Sequence, residues 1–291
     1  MMDNETAEMS AVGSAEIGRR TWLKTARDTI AGKEAKRVLL YAALLYFVPL
    51  FALFYLICGV LDVVRNKRLD RELVRKYFLG HGSLTWLLSP VNLFIDLLTL
   101  PYWNKGVYKL EDLPPAYQAE IRDLLETMDQ KNIVAQLEDK LKDHNREMIF
   151  FKWYGRNLEN VINFPEFHKD YKYIRSIGIS VFNRRKSTNR HFGPLRLTLR
   201  LLYNLNTTTS DQVYIDVGDK RNYWRENKLF IFDDTLLHQS VNESDDRRYC
   251  AFVDVLRPSL MPRVFRAIVS AFGVVLLRLN RLFYNGWVFI K

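Results

Sequence analysis

Three residues of this 291-residue chain could do chemistry together: two histidines and an arginine. His191 opens the run His191-Phe192-Gly193-Pro194. His238 closes Phe232-Asp233-Asp234-Thr235-Leu236-Leu237-His238, and Arg248 follows in the next apolar run. Neutral imidazoles are ligands for first-row divalent metals, Fe(II) among them. A guanidinium fork holds a carboxylate through two parallel hydrogen bonds, which a lysine does not reproduce. A lone histidine is more often structural than ligating; two in this order with a trailing arginine reverse that balance. The set points to metal-dependent oxidation with an anionic cosubstrate. There is no Ser/His/Asp or Cys/His constellation, no zinc-type cysteine pairing, no P-loop and no dinucleotide glycine fingerprint.

The usual non-haem iron site adds a carboxylate to the two imidazoles. Two residues after His191 that position is Gly193, which has no side chain to offer. Asp234, four residues before His238, is a candidate to close a turn, and Asp233 is the stronger one. The segment 195–205 alternates, with Leu195, Leu197, Leu199 and Leu201 on one face and Arg196, Thr198, Arg200 and Leu202 on the other. An arginine on an inward face is costly unless it meets an anion, which makes Arg200 a second candidate for the cosubstrate.

Residues from about Ser180 to Leu260 resemble the aspartyl/asparaginyl β-hydroxylase family. The resemblance rests on His191-Phe192-Gly193-Pro194, the strand with Arg200, Trp224, the run 229–238, Arg248 and the run 252–260. With the membrane segment described below, it narrows to the lipid-modifying branch, the lipid A 2-hydroxylases and ornithine-lipid hydroxylases. It implies a double-stranded β-helix of the jelly-roll or cupin-like kind, with Fe(II) on His191 and His238 and Asp234 beside them. Arg248, Ser180 and Arg200 would hold 2-oxoglutarate, and O2 would complete the reaction to succinate, CO2 and a hydroxylated product. Some members of the family carry glycine at the Gly193 position, with water in its place. Leu202 stands where protein-hydroxylating members have a histidine and Thr198 where they have an arginine. Both changes make the pocket more apolar, which suits an acyl chain.

The elements around these residues read as α+β, mainly β, with added membrane elements. The net charge of +10, from 43 basic and 33 acidic side chains, favours an anionic membrane surface or another phosphate-rich partner. Its basic residues cluster beside apolar segments without an aromatic stacking platform, which argues against nucleic acid. Two cysteines, Cys58 and Cys250, lie in apolar runs, so a structural disulfide is not expected.

Residues 1–37 read as disordered and then basic. Residues 38–64 form a transmembrane or re-entrant helix, kinked at Pro49 and long enough for a hydrocarbon core of about 30 Å. Both flanks are basic and give no orientation. The catalytic chemistry places the domain that follows on the cytoplasmic side of a bacterial inner membrane. In the membrane-proximal part, 65–112, the apolar run Ser83–Leu100, interrupted by Pro90, reads as a membrane contact or a core helix. The dioxygenase domain spans 113–261, with a helical layer over 113–170 and a β-helix core over 171–261. The layer carries an apolar stripe of Ala119, Ile121, Leu124 and Leu125, and strands are expected at 173–182, 195–205, 212–217, 228–233 and 247–256. The tail, 262–291, reads as a basic amphipathic helix lying on the membrane.

Two other functions fit the same residues: hydroxylation of an Asp or Asn side chain of a protein, or a degenerate barrel that only binds. The lipid species, the carbon attacked and the oligomeric state are beyond the sequence.

Overall fold

The computed structural model describes residues 31–100, 102, 104–142, 144–283 and 288–290, and for 275–283 the backbone alone. Expectations for residues 1–30 lie outside the described residues. The chain divides into two compact units, Met1–Ile57 and Cys58–Lys291. In the first, α1 covers 31–47, so the described part of the basic stretch, 31–37, is helical, and α2 (Pro49–Val63) begins after a bend at residue 48. Proline removes a backbone donor at that point, as expected. Most of its large apolar side chains are exposed. Among the described residues, Pro49–Asn66 is the helical segment long and apolar enough to cross a membrane.

From Cys58 onward, α2 belongs to the second unit. A single 3-10 turn (Val64–Asn66) ends it, and α3 (Arg71–Leu79) starts at Asp70, whose carboxylate accepts from the Leu73 N–H at 2.8 Å. The apolar run 83–100 forms two short helices, α4 (Ser83–Leu87) and α5 (Ser89–Leu98). Pro90 does not break the second; it occupies its first turn, where the missing N–H has no partner to lose.

This pair is inverted in polarity. Its buried stripe is Thr85, Ser89, Asn92 and Thr99, all at most 1% exposed, with Ile95 the one apolar member, 4% exposed. Its outward stripe is Leu84, Leu87, Val91, Phe94 and Leu97, with Phe94 57% and Leu97 62% exposed. A water-facing helix buries its apolar stripe and exposes its polar one.

The core of the unit is a two-sheet β-sandwich with helices on its outer side. The larger sheet runs β1 (Val107–Tyr108), β8 (Leu229–Phe232), β5 (Thr198–Asn204), β10 (Arg248–Leu256), β4 (Ile174–Phe182), β2 (Arg146–Trp153), β11 (Val288–Phe289), with β3 (Arg156–Asn157) on β2. The smaller runs β7 (Lys220–Tyr223), β6 (Val213–Val217), β9 (His238–Asn242). The chain order of these strands is that of a jelly roll, in agreement with the expected fold.

The strands of the larger sheet alternate, with register irregularities near Phe150 in β2 and Asp254 in β10. Outward residues (Ile149 and Phe151; Ile177, Ile179 and Val181; Leu199 and Leu201; Val253 and Val255) join the cluster under helix α6 (Pro115–Gln130). Inward residues (Met148, Phe150, Leu202, Phe230, Phe232, Cys250, Phe252) join Val213, Ile215 and Val217 of the smaller sheet. Both faces being covered explains why these strands are buried throughout.

Three expectations change. The helical layer stops at α7 (Ile133–Glu138), and 146–153 is a strand near one edge of the larger sheet, its apolar run Met148–Phe151 masked by charged residues at its ends. On α6 the buried stripe is Tyr117, Ile121, Leu124 and Met128; Ala119 is exposed and Leu125 only partly buried. The tail helix, α8 (Pro262–Phe283), is divided: Phe265 and Val269 enter the core, while Val264 and Phe272 are exposed. Beyond it, β11 pairs in parallel with β2 through Val288 and Phe289. Phe265→Ala is therefore expected to cost about 3–5 kcal/mol, and Phe272→Ser under about 0.5 kcal/mol. Chemical denaturation of the detergent-solubilised protein measures both.

Candidate active site

His191 and His238 are brought face to face by the backbone. Each N–H donates to the other's carbonyl, His191 to His238 at 3.0 Å and His238 to His191 at 2.9 Å, in an antiparallel bridge that joins the 191–194 loop to the start of β9. In such a hydrogen-bonded pair the side chains leave the same face, and the ring centroids are 4.1 Å apart. Each ring is set by its own chain two residues back: Nδ1 lies 2.7 Å from the Asn189 carbonyl for His191 and 2.8 Å from the Leu236 carbonyl for His238. A carbonyl can only accept, so Nδ1 carries the proton and Nε2 is left with a free lone pair in both rings. Burial first, and then its neighbour His238, hold His191 well below the ordinary histidine range. Burial lowers His238 too, against the opposing pull of Asp234. Both are neutral at physiological pH, the form that ligates metals.

The rings open into a cavity of about 180 Å³ between the two sheets. Ser180, Arg200, Asp234 and Arg248 line it with them, so every residue singled out from the sequence reaches one space. The strand register does this: Ser180 pairs with Cys250, Arg248 with Phe182, and Arg200 with Asp254. Arg248 is 2% exposed and sandwiched between the Phe182 ring at 4.9 Å and the Trp224 ring at 4.7 Å. Its Nε and Nη1 are buried without a hydrogen-bond partner among the described residues. A permanently charged group with unmet donors at a pocket wall is suited to an anionic partner such as a carboxylate. The Ser180 hydroxyl, donating to the Cys250 carbonyl at 3.1 Å, lines the same end.

Arg200 differs from its expected role. It meets an anion, but one built into the chain: Nε donates to Asp254 at 2.9 Å, Nη2 lies 3.5 Å from Asp234, and the guanidinium stacks 3.6 Å above Phe252. Asp254, two alternations along β10 from Cys250, was not singled out by sequence; the inward face Arg248, Cys250, Phe252, Asp254 carries the signal that would have found it. Burial raises its carboxyl, more than Arg200 lowers it.

Asp234 takes the place Gly193 leaves. The Gly193 N–H donates to the Asp234 carbonyl at 2.7 Å, and a Cβ on Gly193 would lie 2.1 Å from Asp234 Oδ2. The carboxylate thus fills the volume in which a side chain at 193 would project, reaching it from the partner segment. Its Oδ1 lies 3.4 Å from His238 Nε2 and is otherwise a buried oxygen without a partner among the described residues. Burial pushes the Asp234 carboxyl up, but the opposing pulls, led by the Arg200 guanidinium, leave it below its ordinary value.

Among the described residues, no three His, Cys, Asp or Glu side chains converge as a cage for a metal ion. Two free Nε2 lone pairs with a buried anionic oxygen beside them nevertheless fit a divalent ion that takes two protein ligands and completes its shell with water or cosubstrate.

Asp233 does close a turn, its Oδ1 accepting from the Thr235 N–H at 3.0 Å, but it also anchors a buried charge cluster. Its Oδ2 accepts from Arg65 at 2.7 Å and Asn104 at 2.8 Å, and lies 2.9 Å from Arg257 and 3.4 Å from Arg196. Asp62 and Asp96 complete it, both bonded to Arg196. Arg65 and Asp62 come from the end of α2, and Asn66 accepts the Leu237 N–H at 2.8 Å. No local pattern marks Arg65, Asn66 or Asp96 as supports of the site. Burial raises the Asp233 carboxyl, but Arg257, Arg65 and Arg196 together hold it well below the ordinary value.

The fold and site define a jelly-roll barrel with a two-histidine centre, and several known proteins are similar to it. Residues 116–258, just under half of the chain, match the family Aspartyl/Asparaginyl beta-hydroxylase, in line with the resemblance read from the sequence. A curated relative, the ornithine lipid ester-linked acyl 2-hydroxylase of Rhizobium tropici, is 34% identical over 87 residues, 30% of this chain and 31% of the relative. The match thus spans about a third of that protein's length. Among solved structures, an oxidoreductase of the 2OG-Fe(II) oxygenase family from Burkholderia pseudomallei aligns over 44% of this chain and 80% of its own, at 12% identity and a TM-score of 0.30. The viral collagen prolyl hydroxylase of Paramecium Bursaria Chlorella virus-1 aligns over 47% and 89%, at 11% identity and a TM-score of 0.28. At TM-scores of this size the barrel is defined by its own strand pairing.

Two outcomes are expected. Gly193→Ala displaces the Asp234 carboxylate, and divalent-metal affinity, read by titration of the anaerobic protein, is expected to fall roughly 10–100-fold. Asp233→Asn leaves buried arginines short of an anion and costs about 3–5 kcal/mol at neutral pH. Because the folded carboxyl lies below its ordinary 3.8, its stabilisation is complete above that value and is lost as pH falls through the lower folded one. The gap between wild type and Asp233→Asn should therefore narrow only below pH 3.8, in denaturation curves taken across that range.

Proposed function

We propose that this protein is a membrane-bound, Fe(II)- and 2-oxoglutarate-dependent dioxygenase that hydroxylates an acyl chain of a membrane lipid, lipid A or an ornithine-type aminolipid, at C-2. One juxtaposition carries the lipid reading. The loop that supplies the first imidazole hangs on the inverted helix pair: the Thr85 hydroxyl donates to the Gly193 carbonyl at 3.0 Å and the Asn92 amide to the Pro194 carbonyl at 3.1 Å. The outward side of that pair is leucine, valine and phenylalanine. Turning a polar stripe inward and an apolar one outward suits a helix lying against lipid. The site is then supported from the same surface that holds the substrate.

His191 and His238 hold the iron, and Arg248 with Ser180 binds the cosubstrate's distal carboxylate. Iron with 2-oxoglutarate and O2 supplies the oxidising power for a C–H bond, releasing succinate and CO2. The chain's own part is to orient the two rings through Asn189 and Leu236, to keep Asp234 ionised beside them, and to exclude water. The walls beyond the polar groups are Met148, Leu202, Ile215, Phe232 and Phe252, an apolar lining that fits methylene groups better than an aspartyl side chain. The proposed location is a bacterial inner membrane with the barrel on the cytoplasmic side, where iron stays ferrous and 2-oxoglutarate is supplied.

The test is mass spectrometry of total lipids from cells with and without the protein and with His191→Ala. A lipid heavier by one oxygen, present only with the intact protein, is the expected result. Unchanged lipids from a protein that still turns over 2-oxoglutarate with Fe(II) would overturn the lipid substrate in favour of an Asp or Asn side chain. Absence of any turnover would leave a binding module. Arg248→Lys is expected to raise the KM for 2-oxoglutarate at least ten-fold, since a lysine loses the fork.

A further inference from the structure

We propose that a second cavity, at the end of α2 and apart from the catalytic one, is a binding site for the phosphate headgroup of an anionic membrane lipid. The cavity is about 630 Å³, within the range of about 300–1,000 Å³ typical of ligand pockets. Its floor is apolar, with Leu229, Phe230, Leu236 and Val217 among its residues, and Lys67, Lys105, Lys109 and Lys220 stand on its rim. An apolar floor under a cationic rim is complementary to an amphiphile with an anionic head.

The rim charge is partly spent. Lys105 pairs with Asp112 at 2.5 Å and Lys220 lies 3.6 Å from Asp219, while Arg65 is committed to Asp233. Glu111 also lines the cavity. Lys67 and Lys109 form no ion pair among the described residues, and they are the two charges available to a ligand.

The rim is preformed. Lys67 follows the turn that ends α2 with a positive φ of 61°, its N–H donating to the Val64 carbonyl at 3.1 Å. Gly218, also at positive φ, admits the Asn66 carbonyl so closely that a Cβ there would lie 3.3 Å from it. A side chain at 218 would push the α2 exit away from the cavity.

Position selects the source of the phosphate. Arg65, Asn66 and Lys67 stand where the apolar segment Pro49–Asn66 ends. On the membrane reading above, on which this inference rests, that level is the headgroup layer. The floor also has a common wall with the catalytic pocket. Phe230 and Val217 face this cavity while Phe232 and Ile215, two residues along the same strands, face the other, and all four belong to one apolar cluster. A lipid held by its head here lies beside the barrel interior.

The test uses the full chain in neutral detergent micelles, without iron or 2-oxoglutarate, so that it does not depend on turnover. Calorimetric titration compares dihexanoyl phosphatidate, dihexanoyl phosphatidylcholine and inorganic phosphate. Phosphatidate is expected to bind, and Lys67→Glu/Lys109→Glu to weaken it at least ten-fold, while Lys140→Glu, on an exposed lysine elsewhere, leaves it unchanged. No phosphatidate binding, equal binding by phosphatidylcholine, or equal loss in Lys140→Glu overturns the site. Inorganic phosphate binding as tightly as phosphatidate, with the same dependence on Lys67 and Lys109, overturns the lipid and leaves a soluble anion. Failure of lipid hydroxylation in cells would count against the proposed activity and would leave these titrations unaffected.

Discussion

The site rests on one pair of backbone hydrogen bonds, those exchanged by His191 and His238. Because they close a narrow antiparallel bridge, the spacing of the rings is set by peptide geometry and does not require long side chains to converge. The loop 191–194 has no strand of its own, so this bridge and the two bonds from Thr85 and Asn92 fix its position. Asp234 enters the same arrangement through the backbone bond from Gly193. Loss of the bridge would separate the rings, release the glycine, and leave the carboxylate without its cradle. The chemistry of the barrel is built around a defect in side-chain supply at residue 193, compensated from the facing segment.

Behind that bridge lies a buried cluster of three arginines and three aspartates, an expensive way to hold a turn. Taking a charge out of water costs several kcal/mol per ion, recovered only where partners and hydrogen bonds are complete. Asp233 is the most fully met of them, bonded to arginines from three separate segments and to Asn104. A hydrophobic replacement would be cheaper in stability but would not fix direction. The ion pairs orient the 233–238 segment, and with it His238, relative to α2 and α5. We regard specificity of orientation as the physical reason for the cluster.

How much of this the sequence carries depends on the range of each interaction. The strands at 174–182, 198–204, 213–217, 229–232 and 248–256 are legible because alternation and turn residues are local. Alternation along 195–205 yields Arg200 as an inward residue, whereas Arg248 comes from its order after the histidines and Ser180 from the family resemblance. The strand 146–153 escapes notice because Arg146, Glu147 and Lys152 give it a charged, helix-like composition, although its apolar centre alternates between the two clusters. Strand 238–242 is hidden by its polar residues, and 288–289 is too short for any period to register. Within the site, the histidines are readable from motif and order, whereas Arg65, Asn66 and Asp96 act across more than a hundred residues and leave no local trace. Arg200 shows the limit of an argument from burial: an inward arginine needs an anion, but the sequence does not say that the anion is Asp254.

The end of α2 has a practical meaning for anyone cutting this chain. A hydropathy plot invites removal of everything through residue 66 to obtain a soluble catalytic fragment. That boundary is wrong by about two helical turns. The compact unit begins at Cys58, and the residues discarded include Asp62, which holds Arg196 and the Tyr77 hydroxyl, and Asn66, which holds the Leu237 N–H. Such a fragment keeps every residue that lines the cavity between the sheets and yet exposes the back of its own site. The hydrophobic segment is thus also masonry, and the domain cannot be freed from it at the point where its lipid-like character stops.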